Sequence, residues 1–342
     1  MNRSIFIGLC LLGTQVHAQT KKVSFLSVPK ENKVEVLIDG KRFTNFMYPE
    51  NLEKPILYPL ITASGITVTR GFPLQNRDNE RTDHPHHVGL WFNYESVNGL
   101  DFWNNSYNIP AEKKSGYGWI RNVKVTKMQH GLTSGQLSYT ANWEKQDKTV
   151  LLKENTTFTF SGTHDLRTID RVTTLTAQKD TVRFKDVKDG LLGVRVTKEL
   201  EIPSDKVEEF KDNNGIVTKI TPRNNGANGD YLTSAGKKGN DAWGTRGNWC
   251  MLSGLKNGQH VGITMIDHPG NPGYPTYWHA RDYGLFAANP LGQDVFSKGK
   301  EKLSLTLAPG ESVTFKYRII VSSGKVVPAE GINRQAKDFS KK

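Results

Sequence analysis

The run Asp83-His84-Pro85-His86-His87-Val88-Gly89-Leu90-Trp91-Phe92 places three of the chain's nine histidines within four positions, beside a carboxylate and ahead of two aromatic rings. Near pH 7 a neutral imidazole accepts a proton, donates one or binds a metal. A single loop histidine commonly does no more than satisfy a carbonyl; three together point to a site. Pro85 keeps the segment out of a central strand, so it reads as a loop entering a strand over 88–94. On an extended backbone His84 and His86 would face one way, and Asp83 and His87 the other. His86 and His87 are candidate acid–base groups. His84 and His86 at the mouth of a strand could instead open a metal site completed from elsewhere.

A second constellation follows the strand ending at Asp267-His268. A Pro/Gly loop runs to Pro275, and a new strand begins near Tyr277. Read as a hairpin, it sets His268 opposite His279 at the mouth. Period two then puts His279, Arg281 and Tyr283 on one face and Trp278 and Asp282 on the other. His268, His279 and Tyr283 could move protons. Arg281 could hold a carboxylate or sulfate bidentately. Trp91, Trp103 and Trp278 suit the C–H faces of sugars, and with Arg281, Asp83 and Asp101 they form the candidate substrate-binding set. A polar cross-strand ladder on a solvated face would show the same pattern. No pair among the nearby carboxylates Glu80, Asp83, Asp101, Asp267 and Asp282 identifies a glycosidase, because carboxylate separation is a spatial quantity.

The elements that must position these groups read as nearly all β. Val23–Val28, Lys33–Ile38 and Lys41–Met47 alternate, with Asp39-Gly40 as a hairpin turn between the last two. Further strand-like runs cover 65–69, 119–129, 135–144, 148–159, 165–177, 181–185, 193–201, 247–253, 260–266, 277–286, 302–307 and 312–320. Such spacing predicts a large antiparallel sandwich or barrel. Convincing amphipathic helices are missing; 207–211 and 289–297 offer a turn or two each. Residues 213–239 read as a long Gly/Asn-rich loop. No linker or repeat divides the chain, so 19–342 reads as one β domain with a loosely packed polar tail from about residue 325.

Residues 1–18 read as a secretory leader: Arg3, an apolar run over 5–12, and Val16-His17-Ala18 before the cut. No later stretch approaches the roughly 20 apolar residues of a spanning helix, so no stable membrane insertion is expected and the product should be periplasmic or secreted. Cys250 is then the one remaining cysteine, a structural thiol flanked by Trp249 and Met251. The formal charge of +12 draws anions, but the basic residues are scattered rather than gathered into a nucleic-acid footprint. An acidic carbohydrate fits better. Phosphate-binding, dinucleotide, Gly-x-Ser-x-Gly and His-Glu-x-x-His signatures do not occur. The sequence carries no signal of oligomeric state.

Leu60-Ile61-Thr62-Ala63-Ser64-Gly65, the run from Asp83 to Phe92, Val97-Asn98-Gly99-Leu100-Asp101-Phe102-Trp103, Asp267-His268-Pro269, and Tyr283-Gly284-Leu285-Phe286-Ala287-Ala288-Asn289-Pro290 resemble the DUF6807 family. Its members are often labelled methane oxygenase PmoA. The resemblance extends over residues 34–320, with valine at position 88 where the family pattern carries arginine. It implies an all-β, galactose-mutarotase-like super-sandwich with few short helices. That fold hosts sugar epimerases, polysaccharide lyases and glycosidase domains, and fold alone does not fix activity. A methane oxygenase subunit of the membrane is helical and lipid-embedded, unlike this chain. The combined expectation is an exported enzyme that cleaves or eliminates at a uronate- or sulfate-bearing glycan, with His/Tyr acid–base chemistry and Arg281 as anion clamp. No cofactor is required, though a divalent cation could neutralise charge. A metal-dependent His-cluster enzyme, including one with oxygenase-like activity, and a non-catalytic glycan-binding protein remain open beside it.

Overall fold

A computed structural model describes residues 22–204, 208–211, 217–220 and 226–342. The leader at 1–18 lies outside the described residues. Two eight-stranded antiparallel sheets face each other across a shared hydrophobic core. The first runs in the order Val23–Val28, Lys33–Ile38, Lys41–Met47, Ile56–Leu57, Leu90–Tyr94, Gly190–Arg195, Leu285–Asn289 and Tyr277–Ala280. The second runs Asp230–Thr233, Trp249–Lys256, Gln259–Asp267, Ser312–Gly324, Leu166–Ala177, Val150–Gly162, Ser134–Glu144 and Trp119–Gln129. The all-β sandwich expected from the strand spacing is what the chain forms.

Alternation builds the second sheet. In Ser134–Glu144 the residues Leu137, Tyr139, Ala141 and Trp143 are buried, while Gln136, Ser138, Thr140 and Asn142 are partly exposed. Glu154 breaks the apolar pattern of the next strand and is fully buried. Tyr139 Oη, Trp143 Nε1, Thr156 Oγ1 and Arg171 Nη2 all donate to it at 2.6–2.9 Å, which offsets the cost of burying its charge.

Several local expectations need correction. The predicted strand 277–286 is two strands, Tyr277–Ala280 and Leu285–Asn289, paired antiparallel around a turn at 281–284. Residues 65–69 make only isolated bridges. The helical turn expected at 207–211 is a strand over Glu208–Lys211. Part of 213–239 lies outside the described residues, and Val217–Ile220 and Asp230–Thr233 within it are strands. The polar tail forms the helix Ala329–Phe339, whose Ile332 and Phe339 pack against Trp249, Met251, Ile266 and Ile320 on the second sheet. Two large apolar residues seven apart lie on one helical face, a sparse pattern in an otherwise polar segment.

The first sheet positions the candidate site, and it does so on the face turned away from the shared core. Leu90, Phe92 and Tyr94 point into that core, so Trp91 points out; likewise Leu192 and Val194 point in and Gly193 points out. Register aligns Trp91 with Gly193, Gly193 with Ala287, and Ala287 with His279. Large side chains end this row and small ones occupy its middle. A Cβ on Gly193 would meet the Trp91 ring at 2.7 Å and the Trp103 ring at 2.9 Å. Glycine there leaves room for both indoles, which meet edge to face at 5.2 Å and 60°, as the floor of a depression.

Candidate active site

The histidine run is a turn rather than an extended segment. His84 has φ of 45° and its carbonyl accepts from His87 N at 2.9 Å. The expected alternation therefore fails, and all three imidazoles cluster. His84 stacks on His87 at 4.9 Å between centroids, and His86 meets His87 edge-on at 4.3 Å. His87 in turn stacks on Trp91.

Buried arginines hold this turn from beneath. Arg70 donates to the carbonyls of Asp83, His84 and His87 at 2.8, 3.0 and 3.1 Å. Asp83 is the hub: its Oδ1 accepts from Arg70 at 2.8 Å and from Arg195 at 2.7 Å, and its Oδ2 lies 3.6 Å from Arg81. Burial would raise its pKa, but Arg195, His84 and Arg70 outweigh that and hold the carboxyl well below the usual range. Asp83 is thus a structural anion under the site, which corrects its assignment to substrate binding. Lys54 Nζ adds a bond to the His86 carbonyl at 2.8 Å, and burial lowers its pKa to about 8.

Above these supports lies a cleft of about 310 Å³ whose lining includes His84, His86, His87, Trp103, Asn104, Lys188, Asp189, His279, Arg281 and Tyr283. Imidazoles from the first third and the last quarter of the chain meet there with a guanidinium. His279 arrives on its strand; Arg281 and Tyr283 arrive from the turn that follows, where Arg281 N and Leu285 O bond at 2.7 Å. Arg195 and Arg281 both flank the Tyr283 ring, at 4.8 and 5.5 Å.

Protonation differs among these groups. Burial lowers the pKa of all four histidines, reinforced for His279 by Lys188 and Arg281. Arg195 Nη1 lies 3.1 Å from His87 Nδ1. Since a guanidinium only donates, His87 keeps its proton on Nε2 and serves as a hydrogen-bond donor, not as a base. Burial pushes Tyr283 up to about 12, against the pull of Arg195 and Arg281. Asp189 is raised to about 6 by burial, partly countered by Lys188. Its Oδ1 lies 3.4 Å from His279 Nδ1, a buried nitrogen with no hydrogen-bond partner among the described residues.

Other predicted residues stand elsewhere. Gln259–Asp267 and Tyr277–Ala280 belong to different sheets, so no hairpin sets His268 against His279. His268 packs edge-on against Phe339 and accepts from Gly270 N at 3.0 Å, away from the cleft. Trp278 faces the shared core and is fully buried. Trp91 is floor, sealed beneath His87. Asp101 does not line the cleft; it fixes Asn104, which does, through bonds of 2.8 Å to its N and Nδ2. Among the described residues, no group of three or more His, Cys, Asp or Glu side chains is set to hold a metal ion.

The sequence reading missed Lys188, Asp189, Asn104 and Arg195. Lys188 and Asp189 sit in an ordinary polar loop. Arg195 is a lone charge in an apolar strand, which is the one signal that marked it.

These features define a two-sheet β protein with a cationic, histidine-lined cleft on one sheet's outer face. The chain belongs to the DUF6807 family, a family of unknown function, whose pattern it matches over residues 33–337. No curated protein matches its sequence. Among solved structures it is similar to the galactosidase domain of an alpha-galactosidase–sucrose kinase (11% identity, TM-score 0.41, 88% of this chain and 42% of that one). It is also similar to the alpha-galactosidase from Lactobacillus brevis (9%, 0.37, 91% and 40%), and to a galactose mutarotase-like protein from Clostridium acetobutylicum (9%, 0.37, 89% and 100%). The chain spans about two fifths of each galactosidase chain. Likeness at this level does not transfer chemistry. Among the described residues, no helix is long and apolar enough to cross a membrane.

Proposed function

We propose that this protein is a carbohydrate-active enzyme that breaks uronate-bearing glycans by β-elimination in the cleft. The observation that carries the reading is the meeting of His279 and Asp189 with Arg281, Lys188 and Tyr283 around one hollow. The cations suit an anionic substrate, and Arg281 suits a planar carboxylate. Neutralising that carboxylate acidifies the adjacent C–H bond, which is the thermodynamic obstacle to elimination.

In this reading His279 is the base. It is neutral at pH 7, and Asp189, 3.4 Å from its Nδ1, stabilises the imidazolium formed on proton uptake. The imidazole removes the proton α to the uronate carboxylate. The released electron pair forms a carbon–carbon double bond, and the bond from the β carbon to the glycosidic oxygen breaks. The Tyr283 phenol, kept protonated by burial, donates its proton to that oxygen. No water is consumed. His84, His86, His87 and Asn104 would bind sugar hydroxyls, with His87 donating from Nε2.

Elimination is favoured over hydrolysis by a count of acids. Most glycosidases flank the scissile bond with two carboxyl groups, whereas Asp189 is the one carboxylate in this lining among the described residues. The test is incubation with a panel of uronate-bearing and neutral glycans, reading ultraviolet absorbance from unsaturated sugars and new reducing ends together. Elimination gives both signals; hydrolysis gives reducing ends alone; a glycan-binding protein gives neither.

A further inference from the structure

A second depression, about 440 Å³ against the cleft's 310 Å³, opens where the ends of the two sheets meet. That volume falls in the range of small-molecule sites, about 300–1,000 Å³. Among the described residues the two hollows share no lining side chain. One wall is the segment joining Lys41–Met47 to Ile56–Leu57, with Tyr48 and Leu52; the other is Trp119–Gln129, the edge strand of the second sheet. Backbone bonds fix both walls: Ile120 N donates to Glu53 O at 2.8 Å, and Tyr48 N to Asn32 O at 2.9 Å.

A break in the edge strand places the polar groups. Arg121 pairs with Asn142 and Lys124 with Thr140, so Asn122 and Val123 both stand against Ala141. Asn122 takes a φ of 55° at this bulge, and bulges re-aim side chains. Its Nδ2 donates to Glu144 Oε2 at 2.9 Å. Glu144 is 2% exposed, and among the described residues its carboxylate receives no other hydrogen bond. Arg121 stacks on Trp119 at 4.9 Å from the ring centroid. Its Nε is buried without a hydrogen-bond partner among the described residues. Its charge acts on the Glu144 carboxyl, yet the two stand too far apart to pair. A buried carboxylate and a guanidinium therefore line one hollow, each with hydrogen-bonding capacity left over.

The two charges select the occupant. Glu144 repels an anion, and Arg121, with Lys148 beside it, repels a cation. A neutral unit that both donates and accepts suits the pair, and adjacent hydroxyls do so: one O–H donates to Glu144, and the neighbouring oxygen accepts from Arg121. Leu52, Ile120 and Val123 give an apolar wall for C–H bonds, beside the Tyr48 ring. We infer that this depression is a second carbohydrate-binding site, separate from the cleft, that takes a neutral sugar through adjacent hydroxyls. It stands whether or not the cleft breaks uronate glycans.

The experiment is titration of wild-type protein, Arg121→Ala, Glu144→Gln and Arg281→Ala with the methyl glycosides of glucose, galactose, mannose, xylose and arabinose, read by saturation-transfer NMR and calorimetry. At least one glycoside should bind wild-type protein and Arg281→Ala alike. Arg121→Ala should weaken that binding at least about tenfold, and Glu144→Gln several-fold. Arg121→Ala breaks no hydrogen bond among the described residues and keeps the fold, so it decides the matter even if Glu144→Gln is unstable. Failure of every glycoside to bind, or binding undiminished in Arg121→Ala, overturns the site. Binding lost in Arg281→Ala also overturns it, because the sugar would then lie in the cleft. Cleavage of uronate glycans is decided separately by the glycan panel.

Discussion

His279 Nδ1 lies 3.4 Å from Asp189 Oδ1, inside the cleft and close to Lys188 and Arg281. The pair joins two opposite tendencies: burial keeps the imidazole neutral and lifts the carboxyl to about 6. A base poised beside an acid that ionises just below neutrality is the arrangement on which the proposed chemistry turns.

Removing the base should be more costly than removing its support. His279→Ala is expected to lower kcat by about 100-fold or more. Asp189→Asn keeps the shape and should lower kcat by up to about 100-fold, with KM changed little. Steady-state kinetics on the substrate identified by the glycan panel checks both. Equal, small losses would assign the pair a packing role.

The same pair sets the pH profile. Asp189 must be ionised to support the imidazolium, and burial holds the His279 pKa well below its usual range. Activity should therefore climb as pH rises through about 6 and then level off, since Tyr283 stays protonated to about 12. Asp189→Asn should abolish that climb. A profile unchanged in the variant would assign the limb to another group.

Arg281 and His268 separate cleft from scaffold. Arg281→Ala loses a charge-assisted contact worth about 1.5–3 kcal/mol, roughly 10- to 150-fold in kcat/KM. His268→Ala should leave kcat/KM within about twofold and cost about 1–3 kcal/mol of stability, because its ring only packs on Phe339 and caps Gly270. Parallel kinetics and denaturant unfolding distinguish the two; catalytic loss in His268→Ala with intact stability would restore it to the chemistry.

Asp83 governs stability rather than turnover. Its folded pKa is depressed below 3.8, so its contribution is complete above that value and is lost as pH falls through the lower folded pKa. Asp83→Asn takes the carboxylate from the buried Arg70 and Arg195, while Arg81 keeps Glu201, and should cost about 3–5 kcal/mol. Unfolding followed against pH should show the variant's acid limb flattened; an unchanged midpoint and limb would remove Asp83 from the cluster's centre.

How far the sequence could be read follows from the range of each signal. Alternation in Lys33–Ile38 and Ser134–Glu144 is local, so the β sandwich was legible. The histidine cluster and the grouping of His279, Arg281 and Tyr283 were legible as residues, but their geometry was not. Positive φ at His84 is fixed by Arg70 capturing three carbonyls from beneath, a contact no local pattern announces. His268 was misplaced because the loop after Asp267 crosses between sheets instead of closing a hairpin. Asp189 was missed because its proximity to His279 depends on strand order, with Gly190–Arg195 and Tyr277–Ala280 flanking Leu285–Asn289.

The most direct measurement is a comparison of wild-type protein and His279→Ala on uronate-bearing glycans, following the ultraviolet absorbance of the unsaturated product. Absorbance should rise with at least one glycan and fall by about 100-fold or more in the variant. Wild-type protein that generates no unsaturated sugar from any uronate glycan, or a variant that generates it at the parental rate, contradicts the account.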